Sequence, residues 1–526
     1  MLRLRAIHLA LTLVVVSGVG FAAIDAYLIG RPAFPLDDAW IHLQFASRLA
    51  SGDGLAYSAD RWVTGSTAPL WSALVSIGGL LPGRLILLWS EFLAVLAFAG
   101  TVLGAHRLTR ELLPGHGKDL AGTAALLIAT TPWLLWSAAA GMEITTFTCL
   151  ALWGMVWHVR EQRTNQHSLV RSAPVLAVAA LARPEGLLLL GLAFGERCLR
   201  AGRSGRPDWT KLRTTVRSML PALVIVSPTL IFYRVAGGSF LPTTFWTKAG
   251  SPIDPWPDTH YLYLLLNFFA RSQPMAVLLA AGGILLLAVR LKGPSDRGVL
   301  PAAWLLAQAL AYSLMTRPEA PPPMGNFGRY WFPLLPVVTI LALVALSPMM
   351  RRLRGLRLWT PLLLLLFAAQ LPGFIAMPTA YSQHVSDVEA SDVAAAQWLA
   401  PRLDPDAYLA VQDVGALAFL LPNETLDLAG LTSPEIRPIL FGSSGGSSWA
   451  VGDWQRRLHD YLRRERVDYL VVFDGSYPQV VRAPGFNVVR SFHNPDNRTM
   501  AGNVLLIVQT PWCRFPLSDR PTGPAA

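Results

Sequence analysis

Two adjacent carboxylates, Asp37 and Asp38, are the residues of this chain best suited to chemistry. Ile41, Phe45 and Leu49 follow them at intervals of four residues. Apolar residues at this spacing share one face of a helix, so the pattern predicts an amphipathic helix on the membrane interface with both aspartates at its N-terminus. A carboxylate pair in this position can accept a proton from a hydroxyl group as a general base, or bind a divalent cation.

The pair also has a structural explanation. Asp37 as N-cap and Asp38 in the first turn would both stabilise the helix dipole. Capping accounts for one aspartate better than for two, so capping and chemistry both stay open. No cofactor is assigned from the sequence, because two carboxylates are too few ligands to define a metal site. A divalent cation bound by Asp37 and Asp38 is the one candidate.

Five basic side chains are candidates for binding a phosphate group: Arg183, Lys248, His260, Arg317 and Arg329. Arg183 lies between two short apolar runs, where an ionisable group is a functional candidate by default. Its structural alternative is an ion pair with Glu143 or Glu185. Lys248 follows Phe245 and Trp246, and its alternative is an anchor at the membrane interface. Arg329 precedes Tyr330 and Trp331, whose alternative is an ordinary aromatic belt.

The predicted acceptor groove completes the candidate site with four residues: Thr67, Trp71, Glu143 and Glu185. Glu143 precedes an apolar run, where a carboxylate that stabilises a helix start is the alternative. His42 shares the helix of the aspartates and is interpreted as an ordinary polar-face residue.

The composition indicates a membrane protein. Hydrophobic residues make up 53% of the 526 residues and charged residues only 15%, against roughly 25% in soluble domains. The 44 basic and 33 acidic residues leave a net charge of +11. The basic residues lie in loops between apolar runs, where they orient a membrane protein, so no nucleic acid is predicted as a partner. The three cysteines have the spacing of neither a metal site nor a disulfide framework.

Apolar runs of about 20 residues can cross a hydrocarbon core ~30 Å thick. The sequence predicts about eleven spans on this criterion, over residues 6–27, 85–105, 120–140, 144–159, 174–182, 186–198, 220–235, 275–289, 300–315, 330–346 and 358–376. The first is predicted to be an uncleaved helix with a cytoplasmic N-terminus, and a cleaved signal peptide is the alternative. Residues 70–81 make only half a span, which predicts an interfacial or re-entrant helix.

Four basic clusters, at residues 107–118, 160–171, 197–217 and 351–357, share the cytoplasmic side if residues 70–81 do not span. The outer loop 30–82, the segment 240–262 and everything after residue 377 are then outside the cytoplasm, in a multi-pass protein of the plasma (inner) membrane. We therefore predict a transmembrane catalytic domain over 1–377 and a soluble extracytoplasmic α/β domain over 378–526. In the latter, the patterns predict helices at 387–399 and 453–466 and strands at 408–411, 468–473, 487–492 and 503–509.

A succession of short motifs resembles one known family: DDAWI at 37–41, LASGDGL at 49–55, TGSTAPLW at 64–71, GME at 141–143, ARPEG at 182–186, LPTTF at 241–245, RY at 329–330, DVGA at 413–416 and DLAGL at 427–431. Their order is similar to that of GT-C glycosyltransferases that use polyprenyl-phosphate sugars. The likeness is greatest to the bacterial branch with the mycobacterial arabinofuranosyltransferases and their DDAY-type motif. Trp40 stands where that branch often has Tyr.

The resemblance implies that Asp38 or Asp37 is the catalytic base, with Asp38 favoured, and that the reaction inverts the anomeric centre. It implies a polyprenyl-phosphate sugar as donor and a glycan, lipid or protein hydroxyl as acceptor; the sugar itself is not implied. Two other classes stay open. A transporter or flippase of lipid-linked sugars would place polar groups at the membrane midplane in paired half-repeats. A non-catalytic glycan-binding membrane protein would use the aspartates only as caps.

Overall fold

The computed structural model describes residues 2–58, 61–81, 85–113, 117–164, 171–201, 209–249, 256–290, 299–315, 325–349, 359–441 and 453–518. Helices dominate the described residues up to Leu399, and a mixed sheet with short helices follows. The helices of the first part are Leu2–Leu28, Asp37–Ala50, Pro69–Gly79, Leu85–Leu112, Gly117–Ala129, Pro132–Ala139, Ile144–Thr164, Ser172–Ala182, Glu185–Ala201, Trp209–Arg217, Leu220–Gly237, Thr243–Ala249, Thr259–Ser272, Pro274–Arg290, Leu300–Ser313, the 3-10 helix Gly325–Leu334, Leu335–Leu346, Trp359–Val388 and Ala394–Leu399.

Several of these helices can cross a membrane. Among the described residues, five are long and apolar enough, or up to seven if each of two bent helix pairs forms one span. The first of the five, Ala6–Leu28, coincides with the first predicted span. The chain is therefore a multi-pass membrane protein, while the count of eleven spans stays a prediction. The helix Pro69–Gly79 has 11 residues and a length of roughly 16 Å, which agrees with the half-span predicted there.

The break predicted between two short apolar helices lies at Arg183. Helix Ser172–Ala182 ends there because Arg183 adopts an extended conformation, with φ −155° and ψ 144°. Pro184 follows and disfavours the α-helical conformation of the residue before it. Helix Glu185–Ala201 then begins with Glu185 in its first turn. This break leaves Arg183 and Glu185 beside each other where helix Ser172–Ala182 ends and helix Glu185–Ala201 begins.

The helix that carries both aspartates, Asp37–Ala50, is not a helix lying exposed on the interface. Its residues from Ala39 to Ala46 are all buried. Ile41 and Phe45 pack in one apolar cluster with Leu417 and the sheet residue Val411, from the C-terminal part of the chain. The apolar stripe that the sequence predicts is thus covered by protein, and the helix lies between the transmembrane helices and the sheet.

The C-terminal part is built on a five-stranded sheet of strand order β4-β3-β5-β7-β6. Strands β3 and β4 and strands β3 and β5 pair in parallel, whereas β7 is antiparallel to both β5 and β6. An additional small hairpin, β1 with β2, lies in the outer loop. The strands are β1 Ala56–Ser58, β2 Arg61–Trp62, β3 Leu409–Val411, β4 Thr425–Asp427, β5 Tyr469–Phe473, β6 Asn487–His493 and β7 Val504–Gln509.

All four strands predicted in this part are present within one or two residues of the predicted ends. Helix Trp454–Arg464 lies inside its predicted range, and the predicted helix 387–399 is the end of a longer one with a π-helical turn at Glu389–Val393. Strand β4 was not predicted, because Leu426 is the one apolar residue among its three, whereas all three residues of β3 are apolar. Short helices fill the connections: Gly415–Leu420, the 3-10 turn Pro434–Ile436, Arg437–Phe441 and Pro478–Val481.

Candidate active site

Asp37 does not cap its own helix. The N-cap position is Leu36, without a side-chain cap bond, and the Asp37 carboxylate instead accepts hydrogen bonds from the backbone N–H groups of Gly415 and Ala416, both at 2.7 Å. These groups begin helix Gly415–Leu420, so Asp37 holds the C-terminal part against the outer loop. A Cβ atom at Gly415 would lie 2.2 Å from the Asp37 carbonyl oxygen. The alternative in which Asp37 caps its own helix is therefore wrong, because Asp37 binds the start of helix Gly415–Leu420 instead. Glycine is required at 415.

Asp38 has a different environment from Asp37. Its two carboxylate oxygens form ion pairs with Arg329 Nη1 at 2.9 Å and Nη2 at 3.0 Å, and Lys248 Nζ lies 3.5 Å from Oδ1. Burial alone would raise the pKa of Asp38, but the charges of Arg329 and Lys248 outweigh burial and hold that pKa well below its usual range. Burial raises the pKa of Asp37 to about 7, against the hydrogen bonds from Ala416 and Gly415. Asp38 is thus the carboxylate that stays ionised.

Tyr330 lies at the centre of the basic side chains. Its hydroxyl oxygen accepts hydrogen bonds from Lys248 Nζ at 3.0 Å and from Arg329 Nη2 at 3.3 Å. The Arg183 guanidinium carbon lies 5.0 Å from the centre of the Tyr330 ring, within cation–π range. The sequence interpretation of Tyr330 as part of an aromatic belt missed this role, although its position next to Arg329 in the RY motif was a signal for it.

Arg183 is engaged by the two carboxylates proposed as its structural partners. Its Nη1 lies 2.8 Å from Glu143 Oε1, and its Nη2 lies 2.7 Å from Glu185 Oε1. Tyr312 donates a hydrogen bond to Glu185 at 2.9 Å, and His42 Nε2 lies 3.1 Å from Glu143 Oε2. The result is a buried chain of polar groups. His42 belongs to it, so its interpretation as an ordinary polar-face residue was wrong; its position one helical turn after Asp38 was the only signal.

Ten of the eleven predicted site residues lie in the described part of the chain, and seven of these line one cavity of about 280 Å³. They are Asp38, Thr67, Glu143, Arg183, Glu185, Lys248 and Arg329. His42, Tyr312 and Tyr330 line it as well. Three acidic and three basic side chains therefore face one space. Lys248 is the most exposed of the three cations, at 23% of its side chain against 3% for Arg329 and 4% for Arg183.

Three predicted site residues lie away from the cavity wall. Asp37 is turned towards Gly415. Trp71 is fully buried and donates to the Gly141 carbonyl oxygen at 3.2 Å, so it supports the cavity from behind and does not line a groove. His260 lies in the first turn of helix Thr259–Ser272, is exposed, and stacks on Tyr263 with ring centres 6.5 Å apart. The fifth basic candidate, Arg317, lies outside the described residues.

The cavity wall has an apolar part and a more polar part. Two helices from predicted spans, Glu185–Ala201 and Leu300–Ser313, here called the membrane-side helices, contribute the apolar residues Leu187, Leu188 and Ala311. The outer loop contributes Asp38, Gly65 and Thr67, and the C-terminal part contributes Leu431. A molecule with one apolar and one polar end fits such a wall.

The carboxylates do not form a metal site as they stand. Asp38 is engaged by Arg329 and Lys248, and Asp37 by two backbone N–H groups. Throughout the part of the chain that the structure describes, no group of three or more His, Cys, Asp or Glu side chains is placed to hold a metal ion. The arrangement does not fit the divalent cation considered from the sequence.

Comparison with known sequences gives two matches. Residues 378–511 match a family described as a domain of unknown function, DUF8728. The terminal β-(1→2)-arabinofuranosyltransferase of Mycobacterium tuberculosis is 30% identical over 172 residues, which are 30% of this chain and 27% of that protein. The matching region therefore spans about a quarter of that relative's length.

Comparison with solved structures gives likenesses over nearly the whole chain. ArnT from Cupriavidus metallidurans, bound to undecaprenyl phosphate, is similar with a TM-score of 0.59 and 15% identity, over 98% of each chain. The oligosaccharyltransferase AglB from Archaeoglobus fulgidus, in complex with an inhibitory peptide and a dolichol-phosphate, is similar with a TM-score of 0.56 and 12% identity, over 90% of this chain and 69% of AglB. At these identities the likeness shows the fold.

Proposed function

We propose that this chain, whose fold is that of the GT-C membrane glycosyltransferases, moves a sugar from a polyprenyl-phosphate carrier to a hydroxyl group on the non-cytoplasmic face of the membrane. The observation that carries the proposal is the environment of Asp38. An ionised carboxylate shares one cavity with Lys248 and Arg329, and the same cavity has an apolar wall from two membrane-side helices.

Asp38 acts as the general base. The acceptor oxygen attacks the anomeric carbon, Asp38 takes the hydroxyl proton, and the bond between that carbon and the phosphate oxygen breaks. The polyprenyl phosphate leaves with the electron pair of the broken bond. A single displacement of this kind inverts the anomeric configuration. A retaining mechanism would need a second carboxylate as nucleophile at the anomeric carbon. Asp37 is engaged away from the cavity by Gly415 and Ala416, and Glu143 and Glu185 are paired with Arg183.

Lys248 and Arg329 bind the phosphate. Charge-assisted hydrogen bonds from both side chains stabilise the negative charge that grows on the leaving phosphate. Both cations also hold the pKa of Asp38 low, and a bound phosphate competes with Asp38 for them. Donor binding therefore raises the pKa of Asp38 towards its usual range and makes Asp38 a stronger base at the moment it is needed.

The apolar wall receives the first isoprene units of the carrier. ArnT and AglB are solved with undecaprenyl phosphate and dolichol-phosphate, which supports a polyprenyl phosphate as the ligand here. The named activity of the mycobacterial relative makes arabinofuranose the first sugar to test. The acceptor is a glycan, lipid or protein hydroxyl. We place the chain in the plasma membrane, and the positive clusters between the predicted spans support a cytoplasmic N-terminus and an outer C-terminal domain.

The direct test is sugar transfer by the purified full chain in lipid nanodiscs. Farnesyl-phosphate arabinofuranose carrying a radiolabelled sugar is offered with octyl arabinofuranoside as acceptor, and product and free farnesyl phosphate are quantified. We expect label in a glycosidic product and an equal amount of released farnesyl phosphate. In proteoliposomes, movement of intact donor across the bilayer without a glycosidic product, for this sugar and for a panel of other polyprenyl-phosphate sugars, would instead establish a transporter.

Replacing Lys248 by Met is expected to weaken donor binding. Loss of one charge-assisted hydrogen bond to phosphate costs about 1.5–3 kcal/mol, which corresponds to a rise in Kd of roughly 10- to 150-fold. Titration with farnesyl phosphate measures this Kd directly. Lys248→Arg keeps the charge and should stay closer to the wild type than Lys248→Met does. Equal Kd values for wild type and Lys248→Met would remove Lys248 from the phosphate site.

A further inference from the structure

The C-terminal part of the chain reaches the catalytic cavity through the loop of residues 428–432, here called the roof loop. The loop directly follows strand β4, and the segment that holds Gly415 follows β3. Since β3 and β4 are parallel neighbours, their carboxyl ends meet at the same edge of the sheet. That edge faces the outer loop, where Asp37 holds Gly415 and Tyr57 donates to the Val414 carbonyl oxygen at 3.1 Å.

The conformation of the roof loop is fixed by hydrogen bonds to one buried carboxylate. The buried Asp427 carboxylate accepts from the N–H groups of Ala429 and Gly430 on Oδ1, at 2.8 and 3.2 Å. Its Oδ2 accepts from the N–H groups of Leu431 and Thr432, both at 2.6 Å. Gly430 has a φ of +75°, in the left-handed region that favours glycine. One carboxylate thus accepts from four successive backbone N–H groups, which fixes the backbone of the loop at Leu431.

The roof loop also contacts two segments of the N-terminal, mainly helical part of the chain. Thr247, on the helix of Lys248, donates to the Gly430 carbonyl oxygen at 3.2 Å. Gly65 lies so close that a Cβ atom there would be 3.0 Å from Thr432 Cγ2 and 3.1 Å from the Leu431 carbonyl oxygen. Both Gly65 and Leu431 line the cavity. The loop therefore closes one side of the space in which Asp38 and Lys248 lie.

We infer that Leu431 on the roof loop is a specificity-determining residue that limits the size of the acceptor admitted to Asp38. The inference rests on the proposed function and adds to it a role for the C-terminal part. A lipid-linked donor enters along the apolar wall of the membrane-side helices, so the acceptor is left with the part of the wall formed by the outer loop and the roof loop. Leu431 is the residue of the roof loop in that wall, and its partly buried side chain packs against the apolar cluster that contains Ile41.

The test compares acceptors of different size. Octyl glycosides carrying one, two and three arabinofuranose units, the last branched, are offered to wild type, Leu431→Ala and Leu431→Trp. We expect Leu431→Ala to shift the kcat/KM ratio of the branched over the single-unit acceptor upward by about 10-fold, and Leu431→Trp to shift it downward, in the range that pocket shape achieves. The Kd of farnesyl phosphate should stay within about twofold of the wild type, since donor contacts are kept.

Leu428→Ala is the matched control. Leu428 belongs to the same loop but is buried in the core of the C-terminal part, so its loss should lower stability without changing the acceptor ratio. Equal acceptor ratios for wild type, Leu431→Ala and Leu431→Trp would overturn the inference.

A labelling experiment separates this inference from the proposed function. Leu431→Cys is made in a chain whose native cysteines Cys149, Cys198 and Cys513 are replaced by Ser, and its maleimide labelling rate is measured. The branched acceptor should slow labelling at least fivefold, whereas Val488→Cys, exposed on β6, should label at one rate throughout. Protection by farnesyl phosphate alone would assign Leu431 to the donor. Acceptor protection in a chain that transfers no sugar would leave the roof loop at an acceptor site and overturn the proposed chemistry.

Discussion

Asp38→Asn is expected to lower the rate of sugar transfer by about 10²- to 10⁴-fold, the usual contribution of a general base. The amide keeps the size of the side chain but cannot take the acceptor proton at neutral pH. Lys248 and Arg329 lose their carboxylate partner in this variant and become fully available to the phosphate. The Kd of farnesyl phosphate should therefore be equal to that of the wild type or lower. A fall in kcat without weaker donor binding is the signature of a group that acts in the transition state.

Asp37→Asn provides the matched control, because it removes the same charge from the adjacent residue of the same helix. Only one of its two side-chain atoms can accept from the N–H groups of Gly415 and Ala416, so the contact with the C-terminal part is weakened. We expect a lower melting temperature and retained transfer when the assay is run well below that temperature. The reverse result, an inactive but stable Asp37→Asn with an active Asp38→Asn, would exchange the two assignments.

The parts of the fold that were predictable are those that show as long runs of apolar residues with clear breaks in the sequence. The first span, the half-span at 70–81, the break at Arg183 and four strands of the sheet all show in the order of apolar and breaking residues. The placement of helix Asp37–Ala50 was not predictable in the same way. Its apolar stripe indicates that one face is buried, but the partner of that face is a cluster around Leu417, far away in sequence.

The sequence predicted which residue types form the site better than it predicted which side chains contact one another. Asp38, Lys248 and Arg329 were singled out by charge near aromatic or apolar runs, and the structure brings them together. Asp37 and His260 carry equally suitable groups but lie elsewhere, since spacing along the chain does not specify which direction a side chain takes. Tyr330 and His42 were missed because a single aromatic or histidine residue has many ordinary explanations. Their roles depend on contacts with residues far away in sequence.

Arg183→Ala is expected to destabilise the protein more than it weakens donor binding. Arg183 is almost fully buried and holds Glu143 at 2.8 Å and Glu185 at 2.7 Å. Removing it leaves two buried carboxylates without their cation, which costs about 3–5 kcal/mol of the free energy of unfolding. Thermal unfolding in detergent measures the change as a fall in melting temperature. The donors of Arg183 are already engaged by these carboxylates, so it has less to offer a phosphate than Lys248 has.

A charge-neutral variant tests this explanation of Arg183. In Arg183→Met combined with Glu143→Gln and Glu185→Gln, no charge is left buried without a partner, so much of the lost stability should return. Donor binding measured on this variant then reports the role of Arg183 without the effect of misfolding. A Kd for farnesyl phosphate near that of the wild type would make Arg183 a structural residue of the cavity wall. A Kd that stays at least tenfold higher in the stable triple variant would restore Arg183 to the phosphate site, as its position between two apolar runs predicts from the sequence.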